Sequence, residues 1–401
     1  MNPRRRVGVR TGEAAVTRRH RPDYQIVLFM GILVLIGLVV LFAISPARVE
    51  LINFGGGSLD QAHFMQKQVA YLGIGLAAFA ATAWLPLKFW ERITSKTLLL
   101  GFAACALLAF LGLFLDGGII IETGGATRWF NLGVASFQPA ELLKFGLLLF
   151  VATFLARRVR QGKVNDLNET LVPLGILVGA AALFVIVFQK DLGTGLTMFG
   201  MLAVMLFVAG MSARMFGVTL VALIGLVVAL VITSPHRIDR VITFFNPSSA
   251  GEASSYHINQ AAIALGSGGF FGKGLGQSVQ AFGYLPEAVN DSIFAILGET
   301  FGFVGVVAIL AIFGALLYRI LKVMDGTVDP TWRLIVAGVF GLITTHVVVN
   351  VGAMTGVFPL TGVTLPFLSF GGTSLLFTMI GLGLVFHISR YTTHQRIGGK
   401  K

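Results

Sequence analysis

Apolar residues in this chain run in long unbroken stretches instead of alternating with polar ones. Ten stretches are long enough to cross a bilayer: roughly 24–45, 68–87, 97–115, 139–156, 170–188, 192–211, 214–233, 292–322, 331–353 and 368–390. Backbone in hydrocarbon must satisfy its own hydrogen bonds, which leaves helices or closed barrels. Barrel strands alternate with period two; these runs do not, so each predicts a helix. The first run lacks a small-residue cleavage site and nine more follow, so it is expected to be retained. The eighth is too long for one straight span, and part of it is expected beyond the lipid. The fold class expected is an all-α polytopic membrane protein with about ten transmembrane helices.

Composition agrees. Hydrophobic residues make up 55% of 401 and charged residues 12%, with mean hydropathy +0.84. A soluble domain carries about a quarter charged residues. Charge then orients the helices. Of 30 Lys and Arg, 22 fall in the two tails and the loops on their side, and seven fall in the opposite loops. The positive-inside bias predicts both termini in the cytoplasm. The net charge of +12 is thereby assigned to the anionic lipid surface, and nucleic acid is not expected as a partner. The lone Cys105 lies inside a span and can form no intramolecular disulfide.

The chain divides into a basic tail at 1–23, a membrane domain at 24–390 and a second tail at 391–401. Its length outside the spans is concentrated on the outer side. Loop 234–291, between helices seven and eight, is the largest. Within it, "YHINQAAIALG" (256–266) has apolar positions at 258, 261, 262 and 265, the spacing of a one-faced helix. Gly272-Lys273 invites a phosphate-loop reading, but Ser267 and Gly274 stand where that pattern needs Gly and Ser or Thr. A glycine-rich turn is the reading kept.

Ionisable residues at membrane depth are costly and usually face a bundle interior or a wet cavity. Lys144 lies about 7 Å into its helix, with Glu141 one turn earlier. Two dispositions stay open: a self-neutralised pair, or a cation aimed into an outward cavity with Arg128 and Trp129 nearby. Asp291, at the mouth of the eighth run, reads first as an N-cap, a role compatible with chemistry. Glu299 is two turns deeper and suits a buried basic partner. Neither a His-Cys cluster nor a two-His motif supports zinc, and no Ser-His-Asp signature is present.

The motifs themselves are specific. "GATRWFNLG…FQPAELLKF" (125–145), "QKDLGT" (189–194), "RVITFFNP" (240–247), "YHINQAAIALGSGGFFGKGLGQSVQ" (256–280), "YLPEAVNDSIFAILGETFGFVG" (284–305) and "PLTGVTLPFLSFGGTSL" (359–375) span the membrane core. Through them the chain resembles the SEDS family (shape, elongation, division and sporulation), its FtsW-like division branch more than its RodA-like elongation branch. The resemblance implies a peptidoglycan glycosyltransferase that polymerises lipid II at the outer face of the cytoplasmic membrane. It implies a class B penicillin-binding protein as transpeptidase partner, with other divisome proteins. The family's essential aspartate corresponds to Asp291, and its basic positions to Arg128, Lys144 and Lys67, the last a Lys where an Arg is usual. Val289 and Asn290 replace the family's usual His-Thr before that aspartate, and "GETFG" replaces "GEELG" around Glu299.

On this reading Asp291 is the general base for an inverting transfer, and Arg128, Lys144 and Lys67 hold the leaving pyrophosphate. Glu287, Glu299 and Glu141 are supporting carboxylates. A divalent cation, Mg²⁺ or Mn²⁺, is a candidate addition at the leaving group, with no metal ligand assigned. A lipid II flippase is the rival: it would line a transbilayer path with its charges, whereas here they crowd one face. A non-catalytic divisome scaffold is the third reading.

Overall fold

The computed structural model describes residues 20–114, 118–122, 126–133, 135–232, 235–245 and 252–392. The helices are α1 (Tyr24–Phe54), α2 (His63–Trp84), α3 (Leu87–Leu111), α4 (Pro139–Gln161), α5 (Val172–Ala182), α6 (Leu192–Val208), α7 (Ala213–Ile232), α8 (Pro235–Phe245), α9 (Glu252–Ser267), α10 (Ile293–Gly326), α11 (Pro330–Met354) and α12 (Gly372–Ile388). Wider, π-helical turns at both ends extend α5 into one rod, Leu167–Phe188. By length and composition, eight of these rods can cross a membrane. α6 is apolar but only 17 residues long, and α2 is less apolar. A count of ten spans therefore rests on those two as well.

Without a hydrophobic drive between helices in lipid, close contact depends on small residues. Gly101 of α3 and Gly146 of α4 do this for one pair. A Cβ on Gly101 would lie 2.6 Å from Leu143 Cα, and one on Gly146 2.8 Å from Leu98 Cα. α4, α11 and α12 form the most buried part of the bundle, whereas α7 has no buried residue and lies at its edge.

Two elements depart from the sequence expectation. The loop before α4 contains an antiparallel sheet, β1 (Ile120–Glu122), β2 (Thr127–Asn131) and β3 (Ser136–Phe137). Ile120 pairs with Phe130, and Phe130 with Phe137. Strands this short give no usable periodicity. The overlong eighth run is resolved by a break: Gly302 has φ 67° and ψ −171° inside α10. The glycine-rich segment that looked like a phosphate loop fills this break. Phe303 N donates to Gly269 O (2.9 Å), Val304 N to Phe270 O (3.1 Å) and Gly274 N to Thr300 O (3.0 Å). Irregular backbone at membrane depth survives only where protein satisfies it, and this loop does so.

The expected helix at 256–266 is present, extended at its N-terminal end. Its buried face falls on Ala261 and Ala264, while Ala262 is exposed. The shift lets His257 reach α10: His257 Nε2 lies 2.7 Å from Ser292 Oγ.

Candidate active site

α10 begins at Ile293, and its N-cap residue is Ser292. Asp291 therefore does not cap the helix, contrary to the simplest reading of its position. The turn before it closes on itself, with Asn290 N and Ser292 N both donating to Glu287 O (2.9 and 3.2 Å). Glu287 holds φ 50° to make this turn, an uncommon conformation for a side chain with a Cβ. One oxygen of the Asp291 carboxylate is left over. Its Oδ1 is buried and has no hydrogen-bond partner among the described residues. Gly362, at φ +74°, leaves the space beside it: a Cβ there would lie 3.8 Å from Asp291 Oδ2.

Such a carboxyl is costly to ionise. Burial, then the neighbouring Glu287 carboxylate, push the Asp291 pKa up to about 7, while its own backbone N–H, then the charge of Arg240 and the Ser292 N–H, oppose them. Glu287 is itself half-exposed, accepts from Asn290 Nδ2, and lies 3.9 Å from Arg48.

Three guanidiniums form one cluster, which meets the Asp291 carboxylate through Arg240. Arg128, on β2, donates to Gln189 O (3.2 Å) and Lys190 O (2.9 Å). Arg240, on α8, donates to Leu360 O (3.3 Å). Arg237, one turn earlier, donates to Leu230 O (2.7 Å) and Ile186 O. Burial and mutual repulsion pull Arg237 and Arg240 below the usual arginine range; Asp191 opposes this for both, and Asp291 for Arg240. Asp191 is fixed as the N-cap of α6 by Thr194 N (2.9 Å), and it accepts from Gln138 Nε2 (2.8 Å). Sequence reading missed Arg237 and Arg240. Their signal was legible in "HRIDRV": two arginines three apart on the polar stripe of a short amphipathic helix.

Lys144 takes the paired disposition. It is 1% exposed, donates to Glu141 Oε1 (2.7 Å), and lies 3.2 Å from His346 Nε2. This corrects the picture of a cation open to the outer face. A buried ammonium needs a compensating anion, and Glu141 at i−3 supplies it. His346 Nδ1 lies 3.1 Å from Thr364 O. A carbonyl accepts and an ammonium donates, so His346 carries its proton on Nδ1. One turn on, Asn350 donates both amide protons, to Asp291 O (2.7 Å) and to Val363 O (2.6 Å). Phe370 N donates to Val289 O (2.8 Å). Residues 359–371 and the Asp291 turn are thus clamped together from α11, with the Lys144 pair behind the clamp.

Glu299 is a structural anchor, as its expected basic partner implied. It is fully buried and accepts from Lys273 Nζ (2.7 Å), Ser278 Oγ (2.6 Å) and Gln280 N (3.1 Å). Lys67 is half-buried in the first turns of α2 and forms no ion pair among the described residues. Its neighbour Gln68 reaches Ser369 O and Gly371 N (both 3.4 Å). His257 stands beside Asp291's turn although position 289 holds Val. Burial, then the charge of Arg240, pull its pKa down to about 4, so it is neutral at pH 7.

A polytopic helical membrane protein with a buried carboxylate, one of its oxygens unpartnered, beside an arginine cluster at one end of the bundle is the class this geometry defines. The chain belongs to the FtsW/RodA/SpoVE family, whose model, described as "Cell cycle protein", matches residues 24–394. It is 36% identical over 381 residues to stage V sporulation protein E of Bacillus subtilis (strain 168), covering 94% of this chain and 100% of that one. It is 37% identical over 375 residues to a probable peptidoglycan glycosyltransferase FtsW of Thiomicrospira cyclica, covering 92% of each. Among solved structures, it is similar to a chain from work on the structural coordination of polymerization and crosslinking by a peptidoglycan synthase complex. That match has TM-score 0.70 and 28% identity, and covers 92% of this chain and 98% of that one. It is also similar to the rod shape determining protein RodA of Thermus thermophilus, with TM-score 0.65 and 27% identity, covering 93% of this chain and 98% of that one.

Proposed function

We propose that the chain is a peptidoglycan glycosyltransferase that polymerises lipid II at the outer face of the cytoplasmic membrane, with both termini cytoplasmic and ten spans. The Asp291 carboxylate carries this reading. It has an unpartnered buried oxygen, a pKa of about 7 and the Arg240 guanidinium in its field, the properties of a base at neutral pH.

The step is an inverting substitution. Asp291 takes the proton of the acceptor's 4-hydroxyl as that oxygen attacks the donor's anomeric carbon. The β-1,4 bond forms, the α-linked undecaprenyl pyrophosphate leaves with the bonding electrons, and the proton stays on Asp291. Arg128 and Arg240 hold the pyrophosphate. Arg128 bonds two carbonyls and Arg240 one, so both keep donors for phosphate oxygens. Lys144 acts from behind, through His346 and the Thr364 carbonyl, and Lys67 is the remaining cation assigned to the pyrophosphate.

Among the described residues no three His, Cys, Asp or Glu gather into a metal site. A Mg²⁺ or Mn²⁺ ion of the kind held by one carboxylate and substrate phosphates needs no such cluster, and half-exposed Glu287 has the oxygens for it. Such an ion, when bound, supplies charge neutralisation to the leaving pyrophosphate.

Similarity to a chain of a peptidoglycan synthase complex supports a class B penicillin-binding protein as transpeptidase partner. Likeness to FtsW-named relatives supports septal synthesis. The test is polymerisation of lipid II by purified Asp291→Asn and Asp291→Ala proteins that retain the wild-type unfolding temperature. Loss of roughly 10²–10⁴-fold is expected for a displaced base; near wild-type glycan synthesis rejects the assignment. Transbilayer movement of lipid II without polymer would favour a flippase.

A further inference from the structure

Arg319, near the end of α10 remote from Asp291, bonds Asp23 through Nε (2.8 Å) and Nη2 (2.5 Å). That end of the bundle has polar architecture of its own. His20 N donates to Arg390 O (2.9 Å), Asp23 N donates to Ser389 Oγ (2.9 Å), and the His20 ring meets the Thr392 hydroxyl (3.0 Å). Residues 20–23 are thereby strapped to the last turn after α12. The one carboxylate in the strap, Asp23, is already engaged by Arg319 and by Gln25 N.

Beside this strap opens a cavity of about 520 Å³, lined by His20, Arg21, Pro22, Tyr24, Trp84 and Arg390. Its walls are of two kinds. Arg21 and Arg390 bring cations, and Arg390 is held in place with its guanidinium over the Phe386 ring, 5.5 Å from the centroid. Trp84 and Tyr24 are 81% and 63% exposed, amphipathic rings at the ends of α2 and α1, where a bilayer's headgroups begin.

We propose that this cavity binds the headgroup of an anionic phospholipid. Arg21 and Arg390 take the phosphate, and Trp84 and Tyr24 flank the glycerol and the first acyl carbons. The volume falls in the range of small-ligand pockets. A free phosphate would use the cations but gain nothing from two exposed rings aligned with helix ends. A zwitterionic lipid would use the rings but bring no net charge to the arginines. The site is separated from Asp291 by the length of the bundle, so it can succeed or fail independently of the chemistry proposed there.

The full chain in neutral detergent is titrated with phosphatidylglycerol, with phosphatidylcholine of the same acyl chains, and with inorganic phosphate, and bound ligand is counted by native mass spectrometry. Phosphatidylglycerol is expected to bind saturably and the other two weakly. R21Q/R390Q is expected to weaken phosphatidylglycerol roughly 30-fold, from the typical contribution of two basic residues at an anionic surface, and to leave phosphatidylcholine unchanged. Unaltered phosphatidylglycerol binding in that variant, or equal binding of phosphatidylcholine, overturns the proposal. Displacement of the lipid by equimolar inorganic phosphate makes it a free-anion site and overturns it too. Should the double variant not fold, a photoreactive phosphatidylglycerol on the wild-type chain decides: adducts at residues 20–24, 84 and 390 are expected, and adducts only elsewhere reject the site.

Discussion

Asp291 and Glu287 are four residues apart, and each changes what the other can do. A carboxyl with its pKa near 7 is half ionised at neutral pH, so a reaction that needs its anion must quicken as pH rises through that value. Glu287 contributes to the upward shift, second to burial. Glu287→Gln removes a negative neighbour and should lower the Asp291 pKa. The rising limb of polymerisation rate against pH should then move to more acid pH, with the plateau rate kept if Glu287 is not needed for metal or substrate. A rising limb at an unchanged pH would show that another group sets the profile. Asp291, Glu287 and Arg128 were legible as residue types at motif positions. Neither the missing cap nor the clamp by Asn350 was. Whether a polar side chain at a helix mouth caps or stays free depends on the turn before it, and here Glu287 O takes the two donors that define that turn. Asn350 looks from sequence like one polar residue in an apolar run.

At the scale of elements, the broken α10 and the loop that fills it form one unit. Gly302 has a conformation that L side chains rarely adopt, and a Cβ on it would stand 2.3 Å from Gly272 N and 2.6 Å from the Phe270 carbonyl carbon. Gly302→Ala combines backbone strain of about 1–3 kcal/mol with overpacking of about 1–3 kcal/mol. The apparent unfolding temperature should drop well below wild type, and activity should fall with the displaced loop. A wild-type melting curve would mean that the helix heals without the break. Glu299→Gln tests the same unit from inside. Loss of the carboxylate strands Lys273, but Lys273 is one-third exposed, so the cost should be about 2–4 kcal/mol, below that of breaking a fully buried pair. Long apolar runs told of helices because lipid allows little else. They could not tell of Gly302, since one glycine in a hydrophobic run of 31 residues is ordinary and the residues it packs on, Gly272 and Phe270, lie 30 and 32 positions back in the chain. The three-stranded sheet escaped for a related reason: a two-residue strand such as β3 is defined by its pairing and not by its own pattern.

For the whole molecule, everything proposed at Asp291 depends on which side of the membrane that end of the bundle faces. The two ends are set by contacts far apart in sequence: Arg48 with Glu287 at one, Asp23 with Arg319 at the other. The excess of Lys and Arg lies at the Asp23 end, which argues for cytoplasm there and for the outer leaflet at Asp291. Cysteine labelling can read this directly, because the native thiol, Cys105, is fully buried in α3 and should give no background. Ser58 is exposed in the loop after α1, and Lys322 is exposed near the end of α10. In intact cells whose outer barrier has been made permeable, Ser58→Cys should react with a membrane-impermeant maleimide. Lys322→Cys should react only after the cytoplasmic membrane is opened. The reverse pattern would put Asp291 in the cytoplasm. A base there could not meet the sugar of a lipid-linked donor exposed outside, and the glycosyl transfer would have to be abandoned whatever the carboxylate's pKa.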